Sequence, residues 1–171
     1  VLTKNTVRYE VLKRVLDYYP DIYGIVFCRT RMETKEVAEK LMVDLGWKKD
    51  EIDAIFFVSQ NADYILPATS CIIQDRLGLS KECYATDIAL GCSGWVYGLS
   101  NAVSMISNNN FKRVLLMAGD AKRRADSPAD PLFGHAGTVT AIEYAEGDDG
   151  FQFHFGTDGS GYRPLYNYTK S

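Results

Sequence analysis

Residues 91–94 read Gly-Cys-Ser-Gly. They stand where a β-type pattern, "CYATDIAL", gives way to a helical one, "SGWVYGLSNAVSMISNN". At the start of a helix, unpaired N–H groups and the helix dipole favour negative charge. A thiol placed there loses its proton more readily, and the thiolate is the nucleophilic form. The flanking glycines leave room for a substrate and permit a strained turn. Serine uses the same strand–turn–helix geometry in the nucleophile elbow of other α/β enzymes. Cys92 is therefore the candidate nucleophile. The plain alternative is a small apolar residue at a helix–sheet contact.

The remaining reactive groups compete weakly. Cys28 lies in an apolar strand-like run and Cys71 beside Ile72 and Ile73 in a helical one, so both are expected to be packed and inert. Cys83, at a strand start, is the closest rival. No two of the four cysteines have C-x-x-C spacing and there are only two histidines, so no metal site is expected; nor is a cofactor. "VLTKNTVRYE" has no apolar signal core, so reduced thiols and a cytoplasmic location are expected. No apolar run is long enough for a bilayer, and a net charge of -3 argues against a nucleic-acid surface.

Strand and helix patterns alternate along the chain. "TVRYEVLKRVLDYY" has helical spacing up to Pro20, and "YGIVFCRT" reads as a buried strand. Thr34 is a candidate cap for the next helix, with Val37, Leu41 and Leu45 on one face and Gly46 at its end. "IDAIFFVS" predicts a strand, and "PATSCIIQDRLGL" a helix opened by Pro67 and closed near Gly78. "CYATDIAL" predicts a strand, followed by a helix with Val96, Leu99, Val103 and Ile106 inward. "KRVLLMAG", "GTVTAIEYA" and the alternating "GFQFHFG" predict three further strands. The order implies an α/β domain with a mostly parallel sheet and an antiparallel addition.

From about Lys40 to Tyr162 the sequence resembles the first half of a β-ketoacyl-acyl carrier protein synthase III, a condensing enzyme of the thiolase fold. The resemblance is carried by "LGWKKDEIDAIFFVSQ", "DYILPATSCIIQDRLGL", "ATDIALGCSGWVYGLSNAVSMI", "KRVLLMAGD", "PLFGHAGTVTAIEY" and "GTDGSG". It implies a thiolase-like half with a mostly parallel five-stranded sheet, helices on both faces and one antiparallel strand. It implies that Cys92 takes an acyl group from acyl-CoA as a thioester, with its backbone N–H as an oxyanion donor. Condensation with malonyl-acyl carrier protein, with loss of carbon dioxide, would follow as a step of fatty acid biosynthesis. Leu66 matches an apolar residue that reaches across a dimer into the partner's acyl pocket, so a homodimer or higher oligomer is expected. In the family a second half supplies a histidine and an asparagine for condensation. His135 and His154 do not match that histidine, so the chain is expected to hold an incomplete catalytic set.

Residues from about 7 to 40 resemble a different family, the second RecA-like domain of DEAD-box RNA helicases, around "IVFCRT". Arg29 and Arg31 match positions that touch RNA backbone there, which implies a weak phosphate contact at most. No phosphate-binding loop of the G-x-x-x-x-G-K-[ST] type accompanies them. The two resemblances together imply a single α/β domain over residues 1–171. Within it, a helicase-like helix-strand-helix segment (1–40) stands in for the first βα unit of a condensing-enzyme half (41–171). A recombined, non-catalytic chimeric domain and an RNA-binding remnant are the alternatives to an acyltransferase.

Overall fold

The structure is a computed structural model that describes residues 26–28, 31–61, 64–108, 111–120, 136–147 and 150–163. The expected N-terminal helix over 7–19, Arg29 and His135 lie outside the described residues.

The apolar runs form the strands β1 (Val26–Cys28), β2 (Ala54–Val58), β3 (Tyr84–Ile88), β4 (Arg113–Asp120) and β5 (Ala136–Glu143). Between them lie the helices α1 (Arg31–Asp44), α2 (Thr69–Leu77) and α3 (Gly94–Ser107). The body of the sheet is the four-stranded mixed array β5-β4-β2-β3, and the three-residue β1 adds to the β5 edge. β2 pairs in parallel with both β3 and β4, while β5 is antiparallel to β4. β1 pairs antiparallel with β5, so it runs in the same direction as β2, β3 and β4.

Alternation along the central strands divides the core in two. Ile55, Phe57, Leu115 and Met117 face one side, where Ala38 and Met42 of α1 and Leu77 of α2 cover them. Phe56, Val58, Val114 and Leu116 face the other, under Leu99, Ala102 and Ile106 of α3. All five β2 residues are buried, as a central strand covered on both faces requires.

Several expectations are corrected. α1 begins at Arg31, so Thr34 is inside the helix rather than its cap. Its inner face centres on Ala38 and Met42, and Leu45, past the helix end, is exposed. Val96 is exposed too, because α3 turns Gly94 and Gly98 to the sheet in its place. "GFQFHFG" is not a strand. Both flanks of the sheet body end on β1 and β3, and no ladder forms along residues 150–156. The alternation serves ring stacking instead: Phe153 lies 5.8 Å from Phe155 and 6.1 Å from Phe151, and Phe155 lies 4.9 Å from Tyr97 of α3.

Candidate active site

β2 leads into α2 on one face of the sheet, and β3 leads into α3 on the other. Adjacent parallel strands whose connections leave on opposite faces open a crevice at their carboxyl ends, where open α/β sheets bind ligands. Cys92 stands at that end, between β3 and α3, and it is exposed. The turn that carries it is tied at both ends: Leu90 N–H donates to the Ile88 carbonyl at 3.0 Å and Gly94 N–H to the Gly91 carbonyl at 2.7 Å. Ser93 is the N-cap residue of α3, so the thiol precedes the helix by two positions. Among the described residues the Cys92 N–H has no acceptor.

Glycine is required here by close approach. A Cβ on Gly94 would lie 2.5 Å from Cγ1 of Val58, and one on Gly98 would lie 2.6 Å from Cδ1 of Leu116. The first turns of α3 therefore sit directly on β2 and β4. Trp95 adds a hydrogen bond from Nε1 to Oγ1 of Thr140 on β5 at 3.1 Å.

The other carboxyl ends supply polar groups that the sequence did not single out. Asp120, the last residue of β4, accepts through Oδ1 from the Ser59 hydroxyl at 2.7 Å, Gln60 N–H at 2.9 Å and Asn61 N–H at 3.1 Å. Ser59 N–H donates to Ile88 of β3 at 3.1 Å. The Gln60 carboxamide lies against the Cα of Gly91, where any Cβ would overlap its nitrogen. Asp87, within β3, accepts the Thr69 and Ser70 N–H groups at 2.7 and 2.8 Å, and so caps the start of α2. An acidic residue inside a strand pattern was the signal for Asp87; a lone Asp at a strand end is too common to mark Asp120.

The remaining thiols differ from expectation. Cys71 is exposed on α2, not packed, because the buried side of that helix is set by Thr69, Ser70 and Leu77. Cys83 is half-buried against the core, and burial, with the Asp53 charge adding to it, pushes its thiol up to about 11. Cys28 is the last residue of β1.

Leu66 shares the carboxyl edge with Cys92. It lies in the loop from β2 to α2 and is 83% exposed, beside the exposed Tyr64 and Ile65. Arg31 opens α1 beyond β1, with β5, β4 and β2 between that strand and β3. The fold therefore brings Leu66, not Arg31, to the edge strand pair that holds Cys92. His154 is exposed in the 151–155 aromatic stretch.

Two faces of helix around a mixed sheet, with the thiol at a crossing of its connections, define a thiolase-like α/β fold, and known structures agree. The crystal structure of a 3-oxoacyl-(acyl-carrier protein) synthase from Burkholderia xenovorans superposes with a TM-score of 0.63 at 44% identity, over 67% of this chain and 34% of that one. The family described as 3-oxoacyl-[acyl-carrier-protein (ACP)] synthase III matches residues 86–159, a span that includes Cys92. A putative 3-oxoacyl-[acyl-carrier-protein] synthase 3 of Campylobacter jejuni is 33% identical over 129 residues, 73% of this chain. A β-ketoacyl-[acyl-carrier-protein] synthase III of Staphylococcus saprophyticus is 28% identical over 96% of this chain. The chain spans 36% of the length of the Campylobacter protein and 56% of the Staphylococcus one.

Proposed function

We propose that this chain carries the acyl-accepting site of a condensing enzyme of the 3-oxoacyl-acyl carrier protein synthase III type, with Cys92 as the acceptor. The observation that carries the reading is the exposed thiol at the carboxyl-end crevice between β3 and α3, inside the span that matches the family. The thiolate Sγ attacks the thioester carbonyl of acyl-CoA. The new C–S bond forms as the carbonyl π pair moves onto oxygen; collapse of that oxyanion then breaks the bond to CoA, and the thiol proton ends on the departing CoA sulfur. The Cys92 N–H, without an acceptor among the described residues, is available to the oxyanion of the intermediate. In the whole reaction, malonyl-acyl carrier protein would lose carbon dioxide and its carbanion would take the acyl group from Cys92. That step and both substrates belong to the proposal, not to the described residues.

The test is release of free CoA from acetyl-CoA or a longer acyl-CoA. A single stoichiometric burst is expected from the chain and none from Cys92→Ser. An equal burst from the variant would remove Cys92 from the role.

The same reading includes a dimer. Tyr64, Ile65 and Leu66 are 60%, 96% and 83% exposed, and among the described residues β3 is an edge strand of the sheet. Such an apolar loop beside an open edge favours association. Sedimentation of a monomer at tens of micromolar would count against it.

A further inference from the structure

Four polar residues at the carboxyl ends of β2 and β4, Ser59, Gln60, Asn61 and Asp120, have no part in the acyl transfer, and one of them, Gln60, lies against the Cys92 turn. One oxygen of Asp120 gathers the Ser59 hydroxyl, the N–H groups of Gln60 and Asn61, and Nδ2 of Asn61 at 3.4 Å. Asn61 N–H also reaches the Ser59 hydroxyl at 3.0 Å. A carboxylate that accepts this many donors fixes the backbone of the segment leaving β2. Ser59 then ties that segment to β3 through Ile88. The segment delivers the Gln60 side chain onto the Cα of Gly91, one residue before the nucleophile. Gln60 is exposed, so burial does not hold it there. Its backbone N–H, held by Asp120, sets where that side chain starts.

We infer that Asp120 and Gln60 are positioning residues for Cys92: Asp120 fixes the segment after β2, and the Gln60 carboxamide sets the seat of the Gly91–Cys92 turn. The consequence for acyl transfer rests on the reading of Cys92 as acyl acceptor, but the geometry itself does not. A side chain at position 91 would push the Gln60 amide aside, which the flexible Gln60 side chain can allow. Gln60 brings a neutral dipole, not a charge, next to a group that must become an anion. A carboxylate of the same shape would oppose ionisation of the thiol.

The test uses the full chain and iodoacetamide, with Cys71 on α2 as an internal reference thiol. Gln60→Glu keeps the shape and adds a negative charge. It is expected to move the pH profile of Cys92 alkylation upward by roughly half a unit or more, while the Cys71 profile stays in place. Asp120→Asn keeps an acceptor oxygen and is expected to retain most of the Cys92 rate. Asp120→Ala is expected to lower that rate several-fold relative to Cys71. An unmoved Cys92 profile in Gln60→Glu, or equal changes at both thiols, would overturn the inference. If Asp120→Ala does not fold, the exposed Gln60→Ala variant decides it: a several-fold lower Cys92 rate relative to Cys71 is expected, and an unchanged ratio would overturn the inference. A shifted profile without any acylation by acyl-CoA would leave the positioning role intact and sink the acyl-acceptor reading instead.

Discussion

The two ends of β3 each carry a cysteine, and they are built for opposite purposes. Cys83 precedes the strand, half-buried against Leu77 and its neighbours, with the Asp53 carboxylate nearby. Cys92 follows it, exposed on a turn seated between Gln60 and the start of α3. At the first end, low polarity and a neighbouring negative charge keep the thiol protonated. At the second, the backbone is held while the sulfur is left open. The polar contacts differ in the same way. Around Cys83's end of the sheet they close on each other: Arg113 pairs with Glu51 and Glu143 and lies over the Trp47 ring. At the carboxyl end, Asp120 draws in the backbone N–H groups of Gln60 and Asn61. The difference between the two thiols lies in what surrounds each sulfur, not in the residue type.

The largest effect separates the two thiols by pH. A thiol at about 11 is ionised to about one part in a thousand at pH 8. Alkylation of Cys83 is expected to rise about tenfold per pH unit up to that value and to stay far behind Cys92 at neutral pH. Peptide mapping over a pH series checks this, and a faster Cys83 at pH 8 would break the comparison.

Gly98→Val comes next. Its added atoms press on Leu116 and Val58, and overpacking of this kind costs about 1–3 kcal/mol. A lower urea midpoint is expected. Cys92 reactivity should fall with it, because the start of α3 must lift from the sheet.

Asp87→Ala removes the acceptor for two N–H groups at the start of α2, a loss of about 0.5–2 kcal/mol by analogy with helix caps. Faster hydrogen exchange at Thr69 and Ser70 is expected, with the Cys92 rate close to that of the parent chain. A selective loss at Cys92 would mean that α2 also supports the turn.

Arg113→Gln should have the smallest effect. Glu51 sits below its usual 4.5 because it accepts the Lys48 N–H and lies beside Arg113. A carboxyl lowered in the fold stabilises above its unfolded value and loses that contribution as pH falls through the folded one. A small decrease in Tm is expected at pH 7. The gap between variant and parent should narrow below about pH 4.5. Cys92 should be unaffected.

The strands were legible because β2 is apolar throughout and β4 is apolar over residues 114–118, as strands with both faces covered require. The place of Cys92 in a turn between a strand and a helix was legible from Gly-Cys-Ser-Gly at a change of pattern. Val96 was misread because periodicity weighs apolar character. The contact that seats α3 is made by Gly94 and Gly98, which carry no such character. "GFQFHFG" was misread because alternation records only which side chains share a side. Whether a neighbouring strand is present to pair with is a property of the tertiary fold. Cys71 was misread because two adjacent isoleucines do not fix the helix phase. Asp120 and Gln60 act through backbone contacts that span about 60 residues in the case of Asp120, and no local pattern encodes them.

The most direct measurement is incubation of the full chain with an acyl-CoA at neutral pH, followed by peptide mapping of the thioester by mass spectrometry. The account predicts one acyl group on the peptide that contains Cys92, with Cys71 and Cys83 unmodified. An acyl group on Cys71 or Cys83 in preference to Cys92, or no thioester while Cys92 alkylates freely, would contradict it.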